Sequence, residues 1–125
     1  MPETLSLFDI AGQMAHHAGT RQSIVARNVA NADTPGYTAM TMPRFSEIYG
    51  EGGAPLRQTR PEHLSAADAQ SARAQPAVAE ASPNGNSVSV EQQMLQAIDA
   101  SREHGRALAI YRHGLTVMRS ALGRS

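Results

Sequence analysis

Cysteine, lysine and tryptophan are all missing from this chain. Without cysteine there is neither a disulfide framework nor a thiolate metal site. The aromatics are few, three Tyr and two Phe among 125 residues. Aromatic side chains carry much of a core's burial, so a well-filled globular core is not expected. The burial must come instead from long helices packing on something, other copies of the chain included. No apolar run approaches the roughly 18–20 residues of a membrane-crossing helix. Residues 1–12 lack a basic start followed by a continuous apolar run, so no Sec-type leader is expected there. Any export is then expected to use a route that removes no leader. Eleven basic and eleven acidic residues balance to zero, and a nucleic-acid binder would show a basic excess on one face. Every base is Arg, whose fork suits bidentate pairing with a carboxylate.

What is present divides into three parts within one small domain: a helix in residues 1–33, an irregular stretch in 34–87, and a second helix in 88–125. In the first helix Leu7, Ala11, Met14 and Ala18 step by three or four residues. Val25 and Val29, or the neighbouring Asn28, resume that stripe, with Ile10, His17 and Ile24 widening one side. Arg21 and Gln22 interrupt it. The stripe is built largely from small residues, which favours close approach of another helix.

Asp33-Thr34-Pro35-Gly36-Tyr37 ends this helix. Pro disfavours helical geometry at Thr34, and Pro-Gly in the central positions is the pattern of a type II turn. Beyond the corner, Phe45, Ile48 and Tyr49 form a short apolar cluster. Gly50, Gly52 and Gly53 break the chain, and Leu56 and Leu64 stand alone. Residues 65–86 are rich in Ala, Ser and Gln, punctuated by Pro76 and Pro83, and read as a mobile linker with too little to bury.

The closing helix runs from about Val90 to Leu122. Ser89 is a candidate N-cap with Gln92 three residues on. Its stripe, Met94, Ile98, Ser101, Gly105, Leu108, Tyr111 or Arg112, Leu115, Met118 and Leu122, alternates steps of three and four for about eight turns, which is heptad spacing. Gly12, Gly19, Gly105 and Gly114 sit inside the two helices at about 1 kcal/mol each relative to Ala. Tight helix contacts have to recover that. The fold expected is therefore mainly α, two long terminal helices in a coiled-coil-like pair joined by an irregular middle. Leu7, Met14, Val25, Met94, Ile98, Leu108, Leu115 and Leu122 are the expected packing residues.

Residues 28–39 read Asn-Val-Ala-Asn-Ala-Asp-Thr-Pro-Gly-Tyr-Thr-Ala. This word resembles the N-x-A-N-x-x-T-P-G-Y signature of the flagellar basal-body rod and hook protein family, and it stands where that family carries it, after an N-terminal helix. Asn86, Val88, Gln93 and Met94 are similarly placed to the Asn-x-Val-Asp-x-x-x-Glu-Met opening of the family's closing helix. Ser89 and Gln93 replace its two acidic residues. Short length and the stretch Gln58 to Leu64, with Thr59, Pro61 and His63, resemble the proximal-rod, FlgB-type branch. An FlgC-type subunit is the alternative within the family, and a small helical adaptor the alternative outside it.

The resemblance implies an assembly motif at Asn28, Ala30, Asn31, Thr34, Pro35, Gly36 and Tyr37. It implies terminal helices stacked about the axis of the rod, and type III export without a cleaved leader. The implied partners are further copies, FlgC-, FlgF- and FlgG-type rod subunits, the adaptor FliE, the MS ring and the export gate. It implies no cofactor, nucleic acid or small-molecule substrate.

The residues themselves offer no catalytic or metal constellation. His16 and His17 point about 100° apart on a helix, His104 and His113 are too far apart for one site, and His63 has no ligand partner nearby. No phosphate loop, nucleophile elbow or H-E-x-x-H occurs.

Overall fold

A computed structural model describes residues 2–51 and 73–123, with side chains from 6–48 and 73–123. The Gln58 to Leu64 stretch, Leu56, Gly52, Gly53 and the first part of the Ala-rich segment lie outside the described residues, as does the side chain of Tyr49.

Two long helices dominate, α1 over Pro2–Ala30 and α3 over Val90–Ala121. Between them lie a two-residue strand β1 (Met40–Thr41), a short helix α2 (Phe45–Glu51) and a two-residue strand β2 (Gln75–Pro76). α1 and α3 run antiparallel. Phe8 meets Tyr111 edge-on at 5.1 Å, Arg21 meets Glu103, and Asn28 meets Gln93, so partners fall in number on one helix as they rise on the other. The pair is coiled-coil-like, and most of the burial lies along it.

The α1 stripe is largely the expected one. Ala11, Met14, Ala18, Ile24 and Val25 are buried, while Leu7, at its N-terminal end, is exposed. Arg21 and Asn28 continue it as buried polar members. The position that interrupts the apolar pattern is therefore inside the seam, where carboxylates on α3 neutralise it.

On α3 the outcome differs. The face laid against α1 is Gln93, Ala100, Glu103, Ala107 and Gly114. The expected stripe lies one residue further round the helix: Met94, Ile98, Leu108 and Leu122 are exposed and Leu115 is half-buried. Close approach decides this. A Cβ on Gly114 would sit 3.0 Å from the ring of Phe8, so that aromatic needs the glycine. Ala100 and Ala107 likewise let the helices meet along a face that larger side chains would hold apart.

α3 begins as its capping residues dictate. Ser89 is in extended geometry and its Oγ accepts from the Gln92 amide at 3.4 Å. α1 ends in a tightened turn, Asn31 N–H reaching the carbonyls of both Arg27 and Asn28, as last turns commonly do.

The middle of the chain does not read as free linker where it is described. β1 and β2 pair antiparallel, Met40 opposite Pro76 and Thr41 opposite Gln75, and Ala77 N–H donates to Ala39 O at 2.8 Å. A turn at 82–85 brings Gly36 N–H to Asn84 O at 3.0 Å, and Ser87 N–H donates to Tyr37 O at 3.1 Å. Residues 73–87 have few large apolar groups to bury, yet backbone hydrogen bonds tie them to the corner after α1.

Candidate assembly site

The corner at residues 28–40 is built around one side chain. Asn28 is 0% exposed. Its Nδ2 donates to Met40 O at 2.7 Å and to Gln93 Oε1 at 2.9 Å. Its Oδ1 accepts from Met40 N–H at 3.0 Å and from the Tyr37 hydroxyl at 3.2 Å. Both donors and the acceptor of the amide are used, as a fully buried polar group requires. One residue thus joins α1, the first residue of β1 and the first turn of α3.

Asn31 and Thr34 form the next layer. Asn31 Nδ2 donates to Arg27 O at 2.8 Å, and its Oδ1 accepts from the Thr34 hydroxyl at 3.2 Å. Tyr37 N–H closes the turn onto Thr34 O at 3.3 Å, with Gly36 at φ 73°. That is the type II geometry the Pro-Gly pair predicts. Gly85, at φ 83°, passes so close that a Cβ on it would lie 3.2 Å from Gly36 Cα. Glycines on both sides of this crossing let two turns touch.

Asn86 locks that crossing. It is buried, and its Nδ2 donates to Asn31 O at 2.8 Å and Thr34 O at 2.7 Å. Its Oδ1 accepts from Val88 N–H at 2.8 Å. Two carbonyls of the turn that follows α1 thereby each gain a second donor, from a side chain 52 to 55 positions away. Ser87 Oγ accepts from Ala39 N–H at 2.8 Å.

Of the seven motif residues, Asn28, Asn31, Thr34, Gly36 and Tyr37 meet in this corner, whereas Ala30 and Pro35 face solvent. Asn86, Gln93 and Ser87 complete it. Asn86 and Gln93 are legible in the sequence as members of the second motif, though not as partners of the first. The Asn84-Gly85 pair is the local signal for the turn that delivers Asn86. Gly36→Val is expected to cost about 2 kcal/mol, since a β-branched residue at positive φ is strongly disfavoured. Thr38→Val, at an exposed position, should stay within about 0.5 kcal/mol of the parent. Urea unfolding of the two variants checks this; equal midpoints would contradict the turn.

A charged layer lies one and two turns along the helix pair. Arg21 Nη1 donates to Glu103 Oε2 at 2.8 Å and Nη2 to Asp99 Oδ2 at 3.2 Å. Arg44 Nε sits 2.9 Å from the same Asp99 oxygen. Arg21 and Glu103 are buried, Asp99 partly and Arg44 little.

Beside this layer His17 is buried, its two ring nitrogens without a hydrogen-bond partner among the described residues. Its ring lies edge-on to Phe45 of α2 at 5.7 Å. Burial pushes its pKa below the ordinary 6.5, against Glu103, which raises it, and with Arg21 and His16, which lower it further. The folded chain therefore resists protonation while the unfolded chain does not. The neutral ring's contribution is fully present above about pH 6.5 and is lost as pH falls from there through the lowered value. Unfolding of the parent should ease between about pH 7 and pH 5, more than in a His17→Leu chain. Parallel pH profiles would show the ring to be accessible in the fold.

Among the described residues, no three His, Cys, Asp or Glu side chains converge as a metal site would require, and no helix is long and apolar enough to cross a membrane.

Comparison with known proteins agrees with this architecture. Residues 17–38, the second half of α1 and the corner, match the family described as flagella basal body rod protein. The flagellar basal body rod protein FlgB of Salmonella typhimurium is 34% identical to this chain, over 82% of the chain and 77% of that protein. The helix pair, the buried asparagine corner and this similarity along most of both chains make it a member of the flagellar basal body rod protein family, a structural component of the rod of the FlgB-like kind.

Proposed function

We propose that the chain is a proximal-rod subunit that polymerises through its terminal helices and carries out no catalysis. The carrying observation is the aliphatic face of α3. Met94 is 62% exposed, Ile98 51% and Leu122 80%, on a helix whose adjacent face is already filled by α1. A run of large apolar groups at heptad spacing is what a partner helix covers.

In this reading residues 1–33 and 88–125 are the axial helices. Residues 34–87 form the corner and the outward segment. Asn28, Ala30, Asn31, Thr34, Pro35, Gly36 and Tyr37 set the angle at which the chain leaves the axis. Leu7, Met14 and Val25 on α1 and Met94, Ile98, Leu108, Leu115 and Leu122 on α3 pack within and between subunits. Further copies, FlgC-, FlgF- and FlgG-type subunits, FliE, the MS ring and the export gate are its neighbours. It reaches the periplasm-spanning rod by type III export. Nucleic acid and small-molecule substrates have no part in it. Deleting the gene and imaging basal bodies tests the reading: rods should be missing and swimming lost, and intact rods in the deletion strain would overturn it.

A further inference from the structure

His17 is 6% exposed, and its ring nitrogens are the buried side-chain polar atoms left without a hydrogen bond among the described residues. Other buried polar groups of the seam are paired, Arg21 with Glu103 and Asn28 with Gln93. A neutral imidazole brings one N–H donor to such a place. An imidazolium brings two, together with a charge that has lost its water.

Three elements meet at this ring. Burial is the main force against a proton on it; Glu103 of α3 favours one, and Arg21 and His16 of α1 oppose it. Glu103 is already engaged by Arg21 at 2.8 Å. From α2 comes Phe45, edge-on at 5.7 Å. The charged groups on that side are Arg44 and Glu47. Arg44 Nε lies 2.9 Å from Asp99 Oδ2 of α3, and Glu47 Oε2 accepts from Arg44 N–H at 3.1 Å.

Of the three elements, α2 is held least. α1 and α3 share a seam that runs from Phe8 and Tyr111 to Asn28 and Gln93. α2 spans only Phe45–Glu51, and of its described side chains Phe45 and Ile48 are half-buried while Ser46 and Glu47 are exposed. The Arg44–Asp99 pair adds a tie, but the Arg44 side chain is 57% exposed. Such pairs contribute little and are screened by salt. Asp99 keeps Arg21 if Arg44 leaves. The strand before α2 does not depend on it: Met40 N–H and C=O both bond to Asn28, and Met42 is buried. Pro43 and Arg44 form the link between what is fixed and what is not.

We infer that α2 is a latch released by acid: a proton on His17 is hydrated by lifting Phe45 off α1, the chain turning at Pro43 and Arg44 while α1 and α3 stay paired. This concerns a single chain and stands apart from the rod reading. Above about pH 6.5 the ring is neutral and α2 is docked. Burial lowers the pKa of the docked form, so the released form takes up the proton more readily. The ratio of released to docked chains therefore rises as pH falls from about 6.5 through the lowered value. Its steepest rise is about tenfold per pH unit, the limit for one proton. Attraction between an imidazolium and the Phe45 ring opposes release, but it leaves the second N–H without a partner.

A chain without cysteine takes spin labels cleanly. Ser46→Cys on α2 and Gln13→Cys on α1 replace exposed residues, and the distance between labels on the two is read by electron spin resonance on the dilute full chain. One narrow distance is expected at about pH 7.5. At about pH 5 it should give way to a broad, longer distribution, with the helical circular dichroism of α1 and α3 retained. His17→Leu in the same labelled chain should keep the narrow distance at both pH values. Should circular dichroism show that variant unfolded, His17→Met takes its place. A parent distance that stays narrow in acid would overturn the latch, as would one already broad at pH 7.5. So would broadening that persists without His17, which would assign the proton to another group. Loss of the helix signal in step with the distance change would show the whole chain unfolding rather than α2 leaving.

Discussion

An Asn28→Ala chain is expected to lose about 3–4 kcal/mol of stability, a large share of the roughly 5–15 kcal/mol of a domain this size. The substitution removes a side chain that is fully buried and hydrogen-bonded at both ends. It strands four partners: the Met40 N–H and C=O, the Tyr37 hydroxyl and the Gln93 amide oxygen. A buried group left unsatisfied costs about 1–3 kcal/mol, and repacking with entry of water recovers part of the sum. Asn28→Asp should be no better. It keeps the acceptor for Met40 N–H and Tyr37 but turns a carboxylate oxygen toward two other oxygens. Urea unfolding gives the loss, and amide exchange gives its location. Met40 N–H should exchange much faster in Asn28→Ala, because its acceptor is gone. A loss below about 1 kcal/mol would mean that the corner is held by the backbone alone.

The same corner shows how far the sequence could be read. The steps of three and four predict both helices, Ser89 predicts where α3 begins, and Pro35-Gly36 predicts the turn that Gly36 adopts at φ 73°. These are local matters, set by neighbours within a few residues. The faces of α3 are not local. Heptad spacing locates its most apolar track, but α1 takes the adjacent one, whose small residues permit close approach and whose Glu103 neutralises Arg21. An apolar stripe says that something covers it. It does not say whether that is the same chain.

Arg21 and Asn86 fail to be read for a related reason. In an apolar stripe Arg21 looks like an interruption, because Glu103 stands 82 positions away. Residues 73–87 look like linker because burial is the usual way to order a segment, and they have little to bury. Their order comes instead from backbone pairing with residues 36–41 and from the Asn86 amide on two carbonyls. The motif letters Asn28, Asn86 and Gln93 mark the right positions. Their meaning is a three-way junction that only the fold assembles.

The charged layer yields the second large effect. Arg21→Met is expected to cost about 3–5 kcal/mol at neutral pH, because it leaves the buried Glu103 without its partner. Asp99 suffers less, being partly exposed and still paired with Arg44. Glu103→Leu should cost less than Arg21→Met, since Arg21 keeps Asp99. The double variant Arg21→Met with Glu103→Leu should return to within about 1–2 kcal/mol of the parent, because an apolar pair can replace a buried ion pair. The cycle of four chains then gives a strong favourable coupling between the two residues. Acid supplies a further check. Glu103 raises the pKa of His17, whereas Arg21 lowers it. Without Arg21, a proton on His17 offsets the stranded carboxylate. The penalty of Arg21→Met should therefore be greatest near pH 7 and shrink as pH falls below about 6. In the Glu103→Leu chain the same acid step should deepen the loss, since a charged His17 would then face Arg21 without the Glu103 carboxylate that favours its proton. Penalties that run parallel with pH in the two single variants would show that His17 and this ion pair do not share one electrostatic environment.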